Sequence, residues 1–503
     1  MKRIAAWCMR NYFLLRSTQK NDKESVFRTQ AHLLKEIVTK NKDTEFGTHY
    51  SFSEIQSQKQ WEENIPVQKY EDFSSYIKRM LAGEENILCP GQVAMFSKSS
   101  GTTGDRSKYL PVTKDSLKYN HYKAGRDIYS YYFNQFPKST LFEDKGSVLS
   151  LGGSLERNEN NILIGDVSAL IMSELPVWAE RYRSPSLDTA LMKTWDKKIP
   201  AIIEDAKHDN VTHLAGVPTW FVPLLEQLME EEQINDIRKV WPNMELFIHG
   251  AVAFDPYIPV FNKLLPEGTR YLEVYNASEG FFAIQDSNIN KEMLLLTDHG
   301  VYYEFILIEE YRRGNMSAIS IEDVVFGKEY AIIITTLSGL YRYDLGDTVV
   351  FTSLAPYRIK ITGRTKQFIN LCGEELMVMN AEEAVRKVSE THSCIVEHFS
   401  VAPKFATEKE QACHQWVIEF KIPPNSISAF KEGLDECLRA LNSDYDAKRS
   451  GDIALGMIDV VSVPKGTFMS WLASKDKLGG QHKVPRLSQD RECIEELIKF
   501  IEV

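Results

Sequence analysis

The pattern that most constrains the fold is a repeated succession of a short apolar run, a turn of small residues and an amphipathic stretch. Residues 148–151, 246–248 and 271–275 are such runs, and glycine or alanine follows each of them within two positions. Apolar residues with helical spacing occupy 221–228. Short strands that alternate with helices indicate an α/β body. We therefore predict an α/β fold that binds ligands at loops beyond the strand ends.

Length, charge and cysteine usage limit the class of protein. A chain of 503 residues is longer than a single hydrophobic core usually accommodates, so two or three domains are expected. The net charge is −11, whereas proteins that bind nucleic acids usually carry an excess of basic residues, so this class is disfavoured. The seven cysteines are scattered without a Cys-x-x-Cys pair, which argues against a disulfide framework or a zinc site. No apolar run has the length of a membrane span, so we expect a cytoplasmic protein without membrane insertion.

The character of the chain changes near Gly363 and Arg364. Beyond this point the pattern predicts helices over 381–390 and 427–441, strands near 416–422 and 457–463, and a last helix with apolar residues from Ile494 to Ile501. We predict two domains joined by a short hinge. The first, residues 1–362, is a large α/β domain, and the second, residues 363–503, is a smaller, mobile α+β domain.

A loop rich in hydroxyl groups and glycine occupies residues 99–108. Ser99, Ser100, Thr102 and Thr103 surround a glycine, and Lys108 follows. Hydroxyls and exposed backbone N–H groups form a donor array that suits phosphate, and a lysine adds positive charge. The spacing differs from that of a Walker A loop. The pattern predicts a phosphate-binding loop of another kind, with a polar surface loop as the alternative.

Two further clusters follow predicted strands. Residues 275–278 (YNAS) could frame a purine with an aromatic ring and backbone amides, and Glu279 could hold Mg²⁺ together with phosphates. Asp347 follows a glycine in the segment 339–349, where its two carboxylate oxygens could accept both ribose hydroxyls. The alternatives are a strand-end turn with a solvated acid at the first cluster and a β-hairpin turn at 345–347 in the second.

Two basic segments are the last candidate site segments in the sequence. Arg364 and Lys366 lie at the predicted hinge, and Lys483 lies in the glycine-rich segment 479–486. A hinge residue absorbs a large backbone rotation, and a lysine on a glycine-rich loop can swing into a distant site. A basic connector and a disordered basic loop are the respective alternatives.

The order of these segments resembles one family. Phosphate loop, adenine and metal cluster, ribose aspartate, hinge and mobile lysine follow one another as in the acyl-adenylate-forming superfamily, which includes firefly luciferase. In detail the chain resembles the auxin-responsive acyl-acid amido synthetases of plants, which have bacterial members, and it looks like one of these. The resemblance covers nearly the whole chain, in residues 41–52, 99–108, 216–220, 249–254, 302–305, 341–349, 441–452, 466–468 and 480–486.

The resemblance implies an ATP-dependent, AMP-forming ligase in which residues 1–362 bind ATP and the acyl substrate. It would activate a carboxylic acid as an acyl-adenylate and transfer the acyl group to an amino acid, with ATP and Mg²⁺ as cofactors. Glu279 would hold Mg²⁺, Asp347 the ribose, and Arg364 would lie at the hinge. The full set implied for ATP and AMP is Ser99, Ser100, Thr102, Thr103, Lys108, His249, Gly250, Ala251, Tyr275, Asn276, Ala277, Ser278 and Asp347.

The acyl pocket and the second half-reaction are less constrained. Val217, Trp220 and Phe221 could form an apolar wall, and Tyr122 and Arg126 could face the substrate carboxylate, although all five could be ordinary helix residues.

One departure bears on the second half-reaction. Plant relatives commonly carry Gly-Glu-Lys where this chain has glutamate at 375, so Lys366 or Lys483 would replace that lysine, or the acceptor differs. The alternatives are a coenzyme A or other thiol acceptor, and a non-catalytic nucleotide-binding regulator. The acyl acid, the acceptor and the oligomeric state stay open.

Overall fold

The computed structural model describes most of the chain. The described residues are 9–14, 22–99, 108–193, 195–251, 254–287, 291–365, 368–369, 376–404, 412–442, 445–446, 449, 455–475, 484–488 and 491–500. The predicted site residues Ser100, Thr102, Thr103, Lys366 and Lys483 lie outside these ranges. Contacts between Cα atoms divide the chain into two compact units, residues 1–345 with 349–360, and residues 346–348 with 361–503.

The strands are numbered in chain order. They are β1 Met95–Ser99, β2 Lys108–Val112, β3 Ser147–Ser150, β4 Leu155–Arg157, β5 Leu163–Gly165, β6 Arg183–Ser184, β7 Val211–Gly216, β8 Leu246–Gly250, β9 Arg270–Ala277, β10 Gly280–Ile284, β11 Met293–Leu295, β12 Val301–Leu307, β13 Ile319–Ser320, β14 Glu329–Thr336, β15 Tyr343–Leu354, β16 Tyr357–Arg364, β17 Phe368–Ile369, β18 Leu376–Met377, β19 Ile395–Lys404, β20 Cys413–Ile422 and β21 Asp459–Val463.

The helices are numbered in the same way. They are α1 Lys23–Asn41, α2 Glu45–His49, α3 Gln58–Asn64, α4 Tyr70–Leu81, α5 Lys114–Ser116, α6 Tyr122–Gln135, α7 Val167–Ser173, α8 Val177–Glu180, α9 Leu187–Ala190, α10 Trp195–Ala206, α11 Pro218–Glu231, α12 Ile258–Leu264, α13 Ile308–Arg312, α14 Val378–Thr391, α15 Ile427–Leu441, α16 Thr467–Ser474 and α17 Glu492–Lys499. A π-helical turn, Leu117–His121, precedes α6.

A large mixed sheet organises the first unit. Within the described residues its strand order is β13-β12-β14-β15-β16-β11-β10-β9-β8-β7-β3-β6. Strands β6, β3, β7, β8 and β9 run parallel, whereas β9, β10, β11 and β16 pair in antiparallel fashion. Parallel neighbours need crossover connections, and helices α10, α11 and α12 provide them.

Each face of the parallel strands has its own core. One cluster contains Leu214, Phe221 and Phe247 and lies under α10, α11 and α12. The other contains Ile128 and Ile248 and lies under α6. Side chains alternate between faces along a strand, so neighbouring residues of β8 enter different clusters. Each large apolar side chain buried here contributes about 1.5–3 kcal/mol to folding.

A smaller sheet carries the start of the predicted phosphate loop. Its strand order is β2-β1-β5-β4 in the described part of the chain. Strand β1 pairs with β2 in antiparallel fashion, with Ser99 opposite Lys108, and pairs with β5 in parallel fashion. Ser99 and Lys108 therefore bracket the loop between two hydrogen-bonded strands.

The second unit has a sheet ordered β19-β20-β21, packed against α14 and α15. The helix predicted over 427–441 is α15, and its first turn is capped by the Ser426 side chain, which accepts a hydrogen bond from Ala429 N at 3.2 Å. The helix and strand predicted at 381–390 and 416–422 are part of α14 and β20. Residues 484–488 lie beside β19, where Val401 N donates to Arg486 O at 2.9 Å.

The predicted α/β fold class, with a large N-terminal and a smaller C-terminal domain, is confirmed. The division of roles between residues 1–362 and 363–503 stays a prediction. The alternative of a hairpin turn at 345–347 is wrong, because β15 continues through these residues. In the described residues, no helix has the length and apolar character needed to cross a membrane.

Candidate active site

The ends of three parallel strands form the edge at which the sequence predicts ligand binding. Gly216, at the end of β7, is level with His249 of β8. Gly250, at the end of β8, is level with Val274 of β9. The segments that follow these strands therefore start at one edge of the sheet, as expected for a ligand site in an α/β fold.

Gly250 is required by the close approach of β8 and β9. A Cβ atom at this position would lie 2.4 Å from the carbonyl oxygen of Val274, closer than any side chain tolerates. The next residue, Ala251, has a φ of 71°, which is uncommon for a residue with a side chain. The backbone at the end of β8 is therefore held in a special conformation at the predicted adenine site.

The side chain of His249 does not face this edge. Its ring stacks on Phe254 with centroids 3.8 Å apart, and it is 3% exposed. Burial lowers the pKa of His249 to about 3, so the ring is neutral. Sequence reasoning grouped His249 with Gly250 and Ala251, but the structure brings only the backbone of these residues to the strand ends.

The predicted adenine cluster forms the turn from β9 to β10. Ala277 pairs with Gly280 and Asn276 pairs with Phe281, so Ser278 and Glu279 lie at the tip. The ring of Tyr275 packs edge-on against Phe282, with centroids 5.0 Å apart. The buried Oδ1 of Asn276 accepts no hydrogen bond within the described residues. Such an acceptor is costly unless a donor reaches it, and an exocyclic amine of a base is one donor of this kind.

Glu279 contacts a buried tyrosine of the 339–349 motif. The hydroxyl of Tyr343 is 3.5 Å from Glu279 Oε1, and the Tyr343 side chain is 1% exposed. Burial raises the pKa of Tyr343 well above its usual value, and the nearby Glu279, Asp344 and Tyr70 charges raise it further. Lys108 Nζ lies 5.3 Å from the ring centroid of Tyr70. Tyr343 was not among the predicted site residues, although it stands within the 339–349 motif.

The motif that contains Tyr343 is held by buried polar contacts. Gln68 N donates to Arg342 O at 2.9 Å, and Asp344 N donates to Gln68 O at 2.8 Å. The guanidinium of Arg342 forms a buried ion pair with Glu304, with Nη2 and Oε1 3.0 Å apart. These contacts hold the backbone of the residues before and after Tyr343, and so fix the position of its ring.

Asp347 belongs to the second unit. Its side chain is 12% exposed, and its Oδ1 lies 3.1 Å from Arg364 Nε. The hydroxyls of Thr348 and Thr362 are 2.8 Å apart, and Thr365 N donates to Gly346 O at 2.9 Å. The structure thus brings the predicted ribose aspartate and the predicted hinge arginine together.

The predicted acyl residues do not share one surface. Tyr122 donates to Glu174 O at 2.7 Å, and Arg126 pairs with Asp127 at 2.8 Å. Phe221 of α11 is fully buried in the core cluster between that helix and the sheet, and Trp220 packs on the same cluster, on the sheet face opposite to α6. Val217 directly precedes α11. Tyr122 and Arg126 on α6 and Phe221 on α11 are therefore separated by the sheet.

Sequence reasoning also missed an acid beside the edge. The pKa of Glu273 on β9 is raised to about 7, because the effects of burial and of the nearby Asp255 outweigh the lowering effect of Lys291 and Lys360. The sequence did contain an indication of this buried acid, because Glu273 stands between apolar residues in a strand whose two faces are both covered. Among the described residues, no three His, Cys, Asp or Glu side chains come together as a metal site.

Three family models match the chain in order. They are the GH3 family N-terminal domain at residues 16–269, the GH3 family central domain at 294–364 and the GH3 family C-terminal domain at 379–492. The chain belongs to the GH3 family. The family predicted from the motifs is therefore confirmed.

The similar proteins of known activity are ligases. The GH3 chain is 23% identical to indole-3-acetic acid-amido synthetase GH3.4 of Arabidopsis thaliana, over 91% of this chain and 88% of that protein. It matches the structure of AtGH3.15 acyl acid amido synthetase in complex with 2,4-DB at 18% identity and a TM-score of 0.77, over 99% and 96% of the chains. It also matches 2-hydroxyisobutyryl-CoA ligase in the postadenylation state at 13% identity and a TM-score of 0.61, over 95% and 92%.

Proposed function

We propose that this GH3 chain is an ATP-dependent, AMP-forming acyl acid amido synthetase. The observation that carries the proposal is the match to amido synthetases through all three family domains, over nine-tenths of both chains. The strand-end geometry supports it, because the close backbone approach at Gly250 and the buried Oδ1 of Asn276, which has no partner among the described residues, suit a bound adenine.

The first half-reaction joins the acid to AMP. An oxygen of the substrate carboxylate attacks the α-phosphorus of ATP, a new P–O bond forms, and the bond to the β-phosphate oxygen breaks to release pyrophosphate. Negative charge builds on the phosphate oxygens, so fixed donors and positive charge are the main catalytic resource. We assign this role to Ser99, Ser100, Thr102 and Thr103, with Lys108 as the cation.

The donor set is compatible with Mg²⁺. This ion binds to one or two carboxylates together with substrate phosphates, and the first unit offers Glu279, which Tyr343 contacts. When bound, Mg²⁺ neutralises charge on the phosphate oxygens. Asp347 would accept hydrogen bonds from the ribose hydroxyls, and Arg364 would hold the Asp347 carboxylate in place.

The second half-reaction transfers the acyl group. The amine nitrogen of an amino acid attacks the acyl carbon, loses a proton and expels AMP. Lys366 and Lys483 are the residues that we assign to this step, after rotation of the C-terminal domain. The cytoplasm is the proposed compartment, since Cys89, Cys394 and Cys437 form no disulfide.

The test is ATP–pyrophosphate exchange with a panel of aryl, indolyl and fatty acids, followed by product analysis with amino acids and with coenzyme A. We expect exchange that depends on an acid and an amide product. Glu279→Ala should lower exchange by about 100-fold or more, and Asp347→Ala should weaken ATP binding in calorimetry.

The exposed Glu309, on α13, offers a matched control: Glu309→Ala should leave both properties unchanged. A thioester product in place of an amide would contradict the amino acid acceptor. ATP binding without exchange for any acid would favour a regulator. Exchange that survives intact in both Glu279→Ala and Asp347→Ala would contradict the site assignment.

A further inference from the structure

A π-helical turn places one buried asparagine beside the start of strand β10. In the turn Leu117–His121, Tyr122 N donates to Leu117 O, five residues earlier, whereas the spacing in an α-helix is four. Single π-helical turns are rare and are found frequently at functional sites. Asn120 lies within this turn and is 3% exposed. The contacts of its side chain therefore indicate what the irregular turn is for.

The side-chain amide of Asn120 binds backbone groups of two other segments. Its Oδ1 accepts from Phe281 N at 2.7 Å, and its Nδ2 donates to Phe281 O at 2.9 Å and to His299 O at 2.8 Å. An N–H group can only donate, so the contact with Phe281 N identifies the oxygen end of the amide. Both amide hydrogens then have a carbonyl partner. Asn120 thus holds Phe281 through both of its backbone groups.

Strand β10 depends on this amide because its pairing is incomplete at Phe281. In the described part of the chain, β11 pairs with β10 only at Ala283 and Ile284. On the β9 side, the register shifts between Phe281 and Ala283. Buried backbone groups without a partner cost free energy, and Asn120 supplies one acceptor and one donor, as a neighbouring strand would. The amide therefore takes the place of a strand partner at this position.

The residue held in this way lies next to the proposed metal ligand. Only Gly280 separates Phe281 from Glu279, which lies at the tip of the turn between β9 and β10. A shift of the Phe281 backbone would move Glu279 relative to the Tyr343 hydroxyl, which lies 3.5 Å from Glu279 Oε1. The hydrogen bonds of Asn120 oppose such a shift.

We propose that Asn120 is a positioning residue for Glu279 and holds its carboxylate where it binds Mg²⁺ together with the ATP phosphates. Since Glu279 is the metal ligand of the proposed function, this role rests on that function. The three hydrogen bonds of the Asn120 amide all go to backbone groups, so it acts through the position of the turn and takes no part in the bond changes. Replacing a residue that holds a metal ligand in place typically changes metal affinity or activity by about 10–100-fold.

Calorimetric titration of ATP, with Mg²⁺ and separately with EDTA, tests this role without turnover. In the wild type we expect Mg²⁺ to tighten ATP binding, because the ion binds to Glu279 and to the phosphates. Asn120→Leu nearly keeps the size of the side chain and removes all three hydrogen bonds. It should raise the Kd measured with Mg²⁺ by about 10-fold and leave the Kd measured in EDTA unchanged.

Gln30 on α1 offers a matched control. Its buried amide also accepts from one backbone N–H group, that of Tyr303 at 2.8 Å, and donates to two carbonyl oxygens, those of Thr297 at 2.6 Å and Val301 at 2.9 Å. Gln30→Met therefore removes the same number of hydrogen bonds from the first unit but none from β10. It should lower the Tm, as Asn120→Leu does, and leave the Kd measured with Mg²⁺ unchanged.

A double-variant cycle tests whether Asn120 acts through Glu279. In the Glu279→Ala background, Asn120→Leu should have no further effect on the Kd measured with Mg²⁺, because the group that it positions is gone. Asn120→Ser leaves room for water at the backbone groups of Phe281 and should raise this Kd less than Asn120→Leu does. It keeps the comparison available if Asn120→Leu does not fold.

The outcomes separate the two proposals. A wild-type chain that does not bind ATP contradicts the proposed function. Wild-type binding that is equal with Mg²⁺ and in EDTA contradicts the role of Glu279 and, with it, this inference. Binding that Mg²⁺ tightens equally in the wild type and the Asn120 variants contradicts the positioning role alone. An equal rise of Kd in Gln30→Met, or in the Glu279→Ala background, would also contradict it, because a general loosening of the first unit would then explain the effect.

Discussion

Arg342→Leu should strongly destabilise the first unit, because it leaves a buried carboxylate without its counter-charge. The Glu304 side chain is fully buried and that of Arg342 is 5% exposed. The guanidinium Nη2 lies 3.0 Å from Glu304 Oε1, and Nη1 also donates to Ile65 O at 2.5 Å. Within the described residues, the Glu304 carboxylate also accepts a hydrogen bond from Trp61 Nε1 at 3.2 Å.

The expected loss of unfolding free energy at pH 7 is about 3–5 kcal/mol, the range measured when one partner of a buried ion pair is removed. A domain of this size shifts its Tm by about 2 °C for each kcal/mol, so the Tm should fall by about 6–10 °C. The exposed Arg28, which pairs with Glu24 on α1, provides the control. Arg28→Leu should cost less than about 0.5 kcal/mol.

The loss should depend on pH with a definite sign. Burial already raises the pKa of Glu304, and Arg342 is the main group that lowers it. Without Arg342 the folded state holds a proton on Glu304 that the unfolded state releases above about pH 4.3. As the pH rises, the free energy of unfolding of the variant then falls by about 1.4 kcal/mol for each pH unit, until the pH reaches the pKa of Glu304 in the folded state. The difference from wild type should therefore be larger at pH 7.5 than at pH 5.5.

Urea unfolding followed by tryptophan fluorescence at both pH values measures these differences. The double variant Glu304→Leu with Arg342→Leu removes both charges and should regain part of the stability that the single variant loses. A loss below about 1 kcal/mol in Arg342→Leu, or an equal loss at pH 5.5 and 7.5, would refute this account of the pair.

Two further predictions concern the edge of the sheet. Gly250→Ala should lower the free energy of unfolding by about 1–3 kcal/mol and weaken ATP binding, because the added Cβ would lie 2.4 Å from Val274 O. Gly125→Ala is the control, because a Cβ at this position of helix α6 would have no atom within 4 Å, and the change should be neutral or stabilising. Equal effects of the two substitutions in thermal unfolding would contradict the steric argument. The pKa of Glu273 is raised to about 7, so its folded-state proton makes stability fall as pH rises from about 4.3 to 7. Glu273→Gln should remove that slope and raise stability at pH 8 by up to about 3 kcal/mol, and urea midpoints that keep the wild-type slope would count against the assignment.

Local pattern was sufficient for most of the secondary structure. The runs at 148–151, 246–248 and 271–275 are strands β3, β8 and β9, and the spacing over 427–441 is helix α15. These predictions succeed because alternation and helical periodicity describe which neighbours a residue meets within one element. The segment 345–347 misled the turn interpretation, since Gly346 has a φ of 79° and yet lies inside β15.

The predicted site was only partly foreseeable. The order of motifs identified the family, and the position of Gly250 and Asn276 at strand ends follows from their place after apolar runs. The contact between Tyr343 and Glu279 joins residues 64 positions apart, and no local spacing indicates it. The roles that we assign to the individual site residues remain proposals, which the variants described above test.

The sequence alone determined the GH3 family, the α/β class and the strand edge at which chemistry is expected, because each depends on the order of residues along the chain. Only the tertiary structure decided which side chains face that edge. The ring of His249 stacks in an aromatic cluster, Phe221 of α11 packs into the core on one face of the sheet, and Tyr129 of α6 contacts His213 on the other face. A strand offers every second residue to each face, and what covers each face depends on helices that pack on it from elsewhere in the chain.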